Sequence, residues 1–474
     1  MNSNINATYR NKENIEGKLL ISISFQIIYI LFLLLSSNIN LIISISFWIC
    51  IFFIPFSILI NKKIRLIDVW NLAFVFIIIS EMVLLSSVTS DLGKVSKYLL
   101  LANSIVNIGH TFYAPKYAYR PNFNNISNLS STDNYPLISK KKNIFIYILI
   151  ISLAIYFVIK LLPLALTSAT LGRHQALLIH GDIPPLTNSI GMFLPCVIAW
   201  YSINIRKNKT LTGLLLAAPI FIIQLLIGTR YHLLFSLSGF LFMILKNKKI
   251  KVSNIILIIL LVIFFIFISD YMLINRTGNP SATIEVTTFS FVDNPEKFLA
   301  SYMSPEGVVD MTNLMFNHFD NHSHMYGLAS SYIFIFWIPR AIWPDKPTML
   351  GYWLIREYGS GFSDSHSASF GFTGDLYADF GNFSLLICFF IGIVIGLLQK
   401  QVNKNLQSNS YSNTLFVMLY PATFFYVRSP QTSLISYIGV AVIYLIIKLI
   451  IKPKSVNRRY YTYNPNNAIN GNYK

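Results

Sequence analysis

Apolar residues run along this chain in blocks of helix-spanning length, broken by short polar punctuation and lacking the alternation of a membrane β-barrel. The blocks fall at residues 19–35, 39–60, 66–88, 98–114, 144–162, 187–204, 210–228, 231–245, 252–271, 382–398, 411–427 and 431–451, each near the length that carries a helix across a bilayer. A helix satisfies its own backbone hydrogen bonds in lipid, so the pattern predicts an all-α polytopic membrane protein with about twelve transmembrane helices. The first block has no small-residue cleavage site at its end and reads as a retained first helix, not a signal peptide. The fourth is the most polar, with Asn103, Asn107 and His110, and the eighth is short.

Composition agrees, with 54% hydrophobic and 12% charged residues. Cys50, Cys196 and Cys388 all lie in apolar blocks, which reads as packing and argues against disulfides or a cysteine metal site. The net charge of +18 does not point to nucleic acid, because the basic residues form short clusters at block ends instead of one face. These clusters lie at Arg10 to Lys18, Lys62 to Arg65, Lys140 to Lys142, Arg206 to Lys209, Lys246 to Lys251, Lys400 to Lys404 and Lys452 to Arg459. Counting helices places all of them on one side, which the positive-inside rule makes cytoplasmic together with both termini. Residues 1–271 then hold nine helices with a medium outer loop at 163–186. Residues 272–381 form one long outer loop, 382–451 three more helices and 452–474 a cytoplasmic tail.

The long loop carries eleven acidic residues against five basic ones. A connection of this length is uncommon unless it is functional or disordered, and its aromatic and glycine content predicts that it folds. Within it, residues 329–343 include an apolar stretch too short to span, which predicts an interfacial or re-entrant element. Pro339, Pro344 and Pro347 then force turn geometry around Arg340, Asp345 and Lys346, flanked by Trp337 and Trp343, which suit the headgroup layer. His318, Asp320, His322 and His324 are metal-ligand types, and His318 and His322 would share a helical face; the spacing favours a solvated polar turn over a metal site. Glu81 is the charge placed inside an apolar block away from its ends, a functional hypothesis by default. The cytoplasmic loops are too short for a nucleotide-binding domain and hold neither a P-loop nor a Rossmann fingerprint, which disfavours an ATP-driven pump or an enzyme using cytosolic nucleotide sugars.

The order Tyr326-Gly327, Ile338-Pro339-Arg340, Trp343-Pro344-Asp345-Lys346-Pro347, Gly374-Asp375-Leu376-Tyr377 and Phe380-Gly381 resembles the Wzy-type O-antigen polymerases, the oligosaccharide repeat-unit polymerases. Gly228-Thr229-Arg230 at an outer helix end and Gly172-Arg173-His174 in the medium loop extend the likeness over residues 170–400. Two positions depart from the pattern: Asp375 stands where Glu is expected and Asp379 where Asn is common. The resemblance implies a GT-C-like architecture in the bacterial inner membrane, with a periplasmic active face that joins repeat units carried on undecaprenyl diphosphate. It also implies a chain-length regulator as a partner beside the lipid-linked oligosaccharides and the bilayer, and no cofactor. An O-antigen ligase would share the architecture and the diphosphate donor. A flippase or other transporter is the reading from a different class, and it would predict an internal repeat, which the sequence lacks.

The residues accommodate such chemistry. A departing polyprenyl diphosphate needs cations, and Arg suits it because the planar guanidinium binds phosphate oxygens bidentately. Arg173, Arg230, Arg276 and Arg340, with Lys346, are the candidates, and Arg428 lies on the same side. The leaving group is a stable anion, so the greater need is a base to take the proton of the acceptor hydroxyl. Asp375, just ahead of the block at 382–398, His366, His174 and Asp345 are candidates for that base. Helix capping is the structural alternative for Asp375.

Overall fold

A computed structural model describes residues 23–61, 64–85, 93–113, 140–181, 183, 185–205, 210–245, 295–302, 307–335, 338, 342–347, 349–358, 369–407 and 412–450, and every regular element among them is helical. In chain order these are α1 (Ile23–Leu35), α2 (Ile39–Asn61), α3 (Leu66–Leu85), α4 (Gly93–Tyr113), α5 (Lys140–Leu171), α6 (Arg173–His180), α7 (Pro185–Asn204), α8 (Thr210–Ile227) and α9 (Arg230–Leu245). Then come α10 (Pro295–Tyr302), α11 (Val308–Asn321), α12 (Leu328–Ile335), α13 (Leu350–Tyr358), α14 (Gly371–Phe380), α15 (Ser384–Gln407), α16 (Leu419–Arg428) and α17 (Pro430–Ile450). Five helical segments among the described residues are long and apolar enough to cross a membrane: α3, α5, α8, the run through α14 and α15, and a part of α17. Of five shorter apolar helices, four lie within α1, α2, α7 and α9, and the fifth, Leu415–Arg428, takes in α16 and the turn ahead of it. The described residues are thus all-helical, and their apolar helices are those of a multi-pass membrane protein. Each of these ten segments overlies an expected block, whereas the block at 252–271 lies outside the described residues.

The remaining block, 98–114, is helical as α4, and its two asparagines Asn103 and Asn107 have partners on α3. Trp70 Nε1 donates to Asn103 Oδ1 at 2.9 Å, and Asn71 and Asn107 exchange reciprocal amide bonds, each at 2.9 Å. Interhelical amide pairs of this kind let a polar helix sit inside a bundle where water is scarce. On its other side α4 crosses α15 with the two backbones in direct contact. A Cβ on Gly392 would lie 2.7 Å from His110 N and 3.0 Å from Gly109 Cα, and it would run into Val106 O. Gly396, one turn on, packs against Tyr113, so Gly392-x-x-x-Gly396 is a small-residue crossing face. Gly392→Ala is expected to push the helices apart at a cost of about 1–3 kcal/mol, read as a lower thermal midpoint in detergent. An unchanged midpoint would mean the crossing is looser than described.

Two groups of helices meet in the middle. α3, α4 and α15 form one, α5, α7, α8 and α9 the other, and α16 packs against α3, α9 and α17 to join them. α3 is central, with 83% of its apolar window buried, whereas only 22% of that of α5 is, leaving α5 facing lipid. The medium loop expected at 163–186 is largely helical: α5 continues through Pro163 to Leu171, and α6 follows. Pro163 has no N–H to offer the carbonyl of Ile159, and proline is tolerated in membrane helices because neighbouring groups and local adjustment take up such freed carbonyls. The expected long loop, 272–381, is folded where it is described, as α10 to α14, and the short stretch within 329–343 falls on the eight-residue α12.

Glu81, singled out for its intramembrane charge, is a tertiary helix cap. It is 1% exposed, and its carboxylate accepts from Val308 N at 2.8 Å, Val309 N at 2.9 Å and Asp310 N at 3.3 Å. These are first-turn amides of α11, whose own N-cap, Gly307, has no side chain to offer them. A carboxylate at a helix N-terminus satisfies orphan donors and complements the helix dipole.

Candidate active site

α14 is almost wholly enclosed. All residues from Gly371 to Asp379 are buried, and α11, α12, α15, α16 and α17 pack around it. Its entry is pinned on two sides: Thr312 Oγ1 donates to Phe370 O at 2.7 Å and Ser369 Oγ to Arg428 O at 2.5 Å. Its exit turns at Gly381, whose φ of 54° and the closeness of the His324 ring leave no room for a side chain. Phe372 packs edge-on against Trp70 at 4.8 Å, and Tyr377 stacks on Phe316 at 3.8 Å.

Three polar side chains of α14 do three different things. Asp379, fully buried, accepts from Ala329 N at 2.9 Å and from Ser330 N and Oγ at 2.7 and 2.5 Å, so it caps α12. The Tyr377 hydroxyl donates to Asp320 Oδ1 at 2.5 Å, and Asp320 also pairs with Lys94. Desolvation acts to raise the Asp320 carboxyl, but the hydrogen bonds from Lys94 and Tyr377 and the Lys94 charge outweigh it and hold the group below the usual carboxylate range. Asp375 is 8% exposed, and among the described residues no donor bonds its carboxylate. It lies within electrostatic reach of Asp379, one turn on, and of Tyr426 on α16.

The sequence places Asp375 just ahead of a membrane helix; the structure corrects this. Asp375 is the fifth residue of α14, and α14 with α15 makes up one membrane-length segment. At that position Asp375 does not cap α14 itself, and Asp379 is the residue that caps a neighbouring helix, α12. Among the described residues, the fully buried side-chain atom of α14 without a partner is Thr373 Oγ1, whereas the Asp375 carboxylate, held by no donor among them, keeps some exposure and is open to a reacting group.

Two of the basic motifs meet. Arg173 opens α6 and donates from Nη1 to Gly228 O at 3.5 Å, so Gly172-Arg173-His174 and Gly228-Thr229-Arg230 converge across 55 residues of sequence. His174 follows on α6 and Arg230 opens α9. Lys346 is turned inward: it is 7% exposed, and its ammonium donates to Ile338 O at 2.9 Å and lies 5.5 Å from the centroid of the Tyr332 ring. Asp345 is exposed. Arg276, Arg340 and His366 lie outside the described residues.

His318 and His322 do share a helical face, with rings stacked at 4.2 Å, and Tyr358 bonds His318 Nδ1. Among the described residues no three His, Cys, Asp or Glu side chains are grouped as a metal site would require. Sequence reasoning named Asp320 only as a metal-ligand type and missed its pairing with Lys94 and Tyr377, together with the capping role of Asp379. The presence of an acidic residue in the polar stretch after Phe319 was the one available signal; its partners come from other elements.

No protein-family model matches the chain, and no solved structure matches it. Two curated proteins named O-antigen polymerase, from Salmonella typhimurium (strain LT2) and Salmonella typhi, are each 29% identical to it over 186 residues, which is 37% of this chain and 39% of theirs. The chain thus covers well under half the length of the curated relatives it matches, and over that stretch it is similar to O-antigen polymerases.

Proposed function

We propose that the protein is a surface-polysaccharide polymerase of the O-antigen type. It joins undecaprenyl-diphosphate-linked oligosaccharide repeat units by glycosyl transfer on the periplasmic face of the bacterial inner membrane. The observation that carries this reading is the likeness to two O-antigen polymerases in a chain that is helical and multi-pass. In the proposed reaction the acceptor hydroxyl attacks the anomeric carbon of the donor sugar, the bond to the diphosphate oxygen breaks, and the acceptor proton passes to a base. Asp375 is the base, because it is the buried carboxylate of α14 without a donor among the described residues. Arg173, which reaches the carbonyl of Gly228, is taken with Arg230, Arg276 and Arg340 as the cations proposed to neutralise the departing diphosphate. His366 and His174 remain the alternatives for the base. Twelve helices, the outer position of residues 272–381, the GT-C-like architecture and a chain-length regulator as partner belong to the same proposal.

Deleting the gene in its own host and resolving the lipopolysaccharide on a gel tests it. The expected pattern is core carrying a single repeat unit. Complete loss of O-antigen from the core would replace this reading with a ligase or a flippase.

A further inference from the structure

Glycines apart, Tyr326 is the one described residue with a positive φ, 50°. A bulky residue in that region stores about 1–3 kcal/mol of strain, kept only where the surroundings enforce it. They do so here: Met325 N donates to Ala378 O at 2.8 Å, Tyr326 N donates to Asp379 O at 3.0 Å, and the Asp379 carboxylate grips the two amides at the start of α12. The strain brings no packing in return, because Tyr326 is 82% exposed. Glycine or asparagine would adopt this conformation at lower cost. Folding therefore does not account for a phenol at this position, and a contact outside the chain does.

The surroundings indicate the chemistry of that contact. Leu328 beside it is 53% exposed, and Phe383, just past the end of α14, is 78% exposed. From Phe383 the exposed residues Leu386, Phe390, Val394 and Leu397 recur at helical spacing along α15, the lipid-facing stripe of a membrane-length segment. We propose that Tyr326 seats the polyprenyl chain of a lipid-linked substrate, with its first isoprene units against the phenol and the remainder following the α15 stripe into the leaflet. The amide of Tyr326 is bonded to residue 379, one helical turn (about 5.4 Å) along α14 from Asp375. A chain held there delivers its diphosphate end beside the helix that carries the proposed base. The inference rests on the polymerase reading for its substrate.

The test uses the full-length protein in phospholipid nanodiscs, with Tyr326→p-benzoylphenylalanine as a photocrosslinker and radiolabelled undecaprenyl diphosphate, which carries no sugar, as probe. Crosslinking to the probe well beyond its mole fraction, and lost to excess unlabelled polyprenyl diphosphate, is the expected result. Label captured only by phospholipid in proportion to its abundance would overturn the seat and make Tyr326 a bilayer anchor. A second variant, Tyr326→Asn, relieves the backbone: its thermal midpoint stays level or rises, while KM for the long-chain substrate rises about tenfold and KM for a short-prenyl analogue does not. A lower midpoint with unchanged KM would assign Tyr326 to folding alone. Capture of the probe by the Tyr326→p-benzoylphenylalanine protein, beside wild-type protein that polymerises nothing, would refute the polymerase reading and leave the polyprenyl seat standing.

Discussion

Asp375→Asn is expected to leave a folded, membrane-inserted protein that scarcely polymerises. The substitution preserves size, and because no donor among the described residues bonds this carboxylate, no structural hydrogen bond of the described fold is given up. What disappears is the ability to accept a proton, and a positioned general base contributes about 10²- to 10⁴-fold in rate, equivalent to about 2.7–5.5 kcal/mol of barrier. Asp379→Asn is the control from the same helix face. It removes one of two oxygens that hold three donors of Ala329 and Ser330, so its effect falls first on the thermal midpoint and on activity in proportion to folded protein. Both are measured by polymerisation of purified lipid-linked repeat units in nanodiscs, beside thermal unfolding. Full activity of the Asp375→Asn protein would remove Asp375 as the base and pass the role to His366 or His174.

The apolar helices were legible because lipid-facing and bundle-facing residues alike are apolar, so hydropathy alone marks them. α14 was not. Gly371, Thr373, Gly374, Asp375 and Asp379 dilute its hydropathy, and protein neighbours, not lipid, surround it. The apolar block therefore starts at 382, while the membrane-length segment starts at 371. Pro163 misled in the other direction, since proline ends helices in water more reliably than in a bundle. Of the candidate site, the residue type at 375 could be picked out from its local motif. The union of the Arg173 and Gly228 motifs could not, because helix packing alone brings together positions 55 residues apart. Lys346 stood out as a cation, but only the fold shows its ammonium spent on Ile338 O and Tyr332.

Glu81 separates those two kinds of information most sharply, and its mutants have the largest expected effect on stability. The sequence marks a carboxylate in an apolar helix as a functional charge, whereas the structure supplies partners 227 to 229 residues away that make it a cap. Glu81→Ala strands the first-turn amides of α11, of which those of Val308 and Val309 belong to buried residues. Each unsatisfied buried donor costs about 1–3 kcal/mol, so a loss of about 3 kcal/mol is expected, enough to deplete folded protein in detergent. Glu81→Gln keeps one carbonyl oxygen facing the same amides and should lose about 1 kcal/mol. The two roles diverge in activity per folded molecule. A cap predicts near-normal polymerisation by Glu81→Gln once matched for folded protein, with Glu81→Ala failing through instability. A functional charge predicts that Glu81→Gln folds with the wild-type midpoint and is inactive, and that result would return Glu81 to the list of reacting groups alongside Asp375.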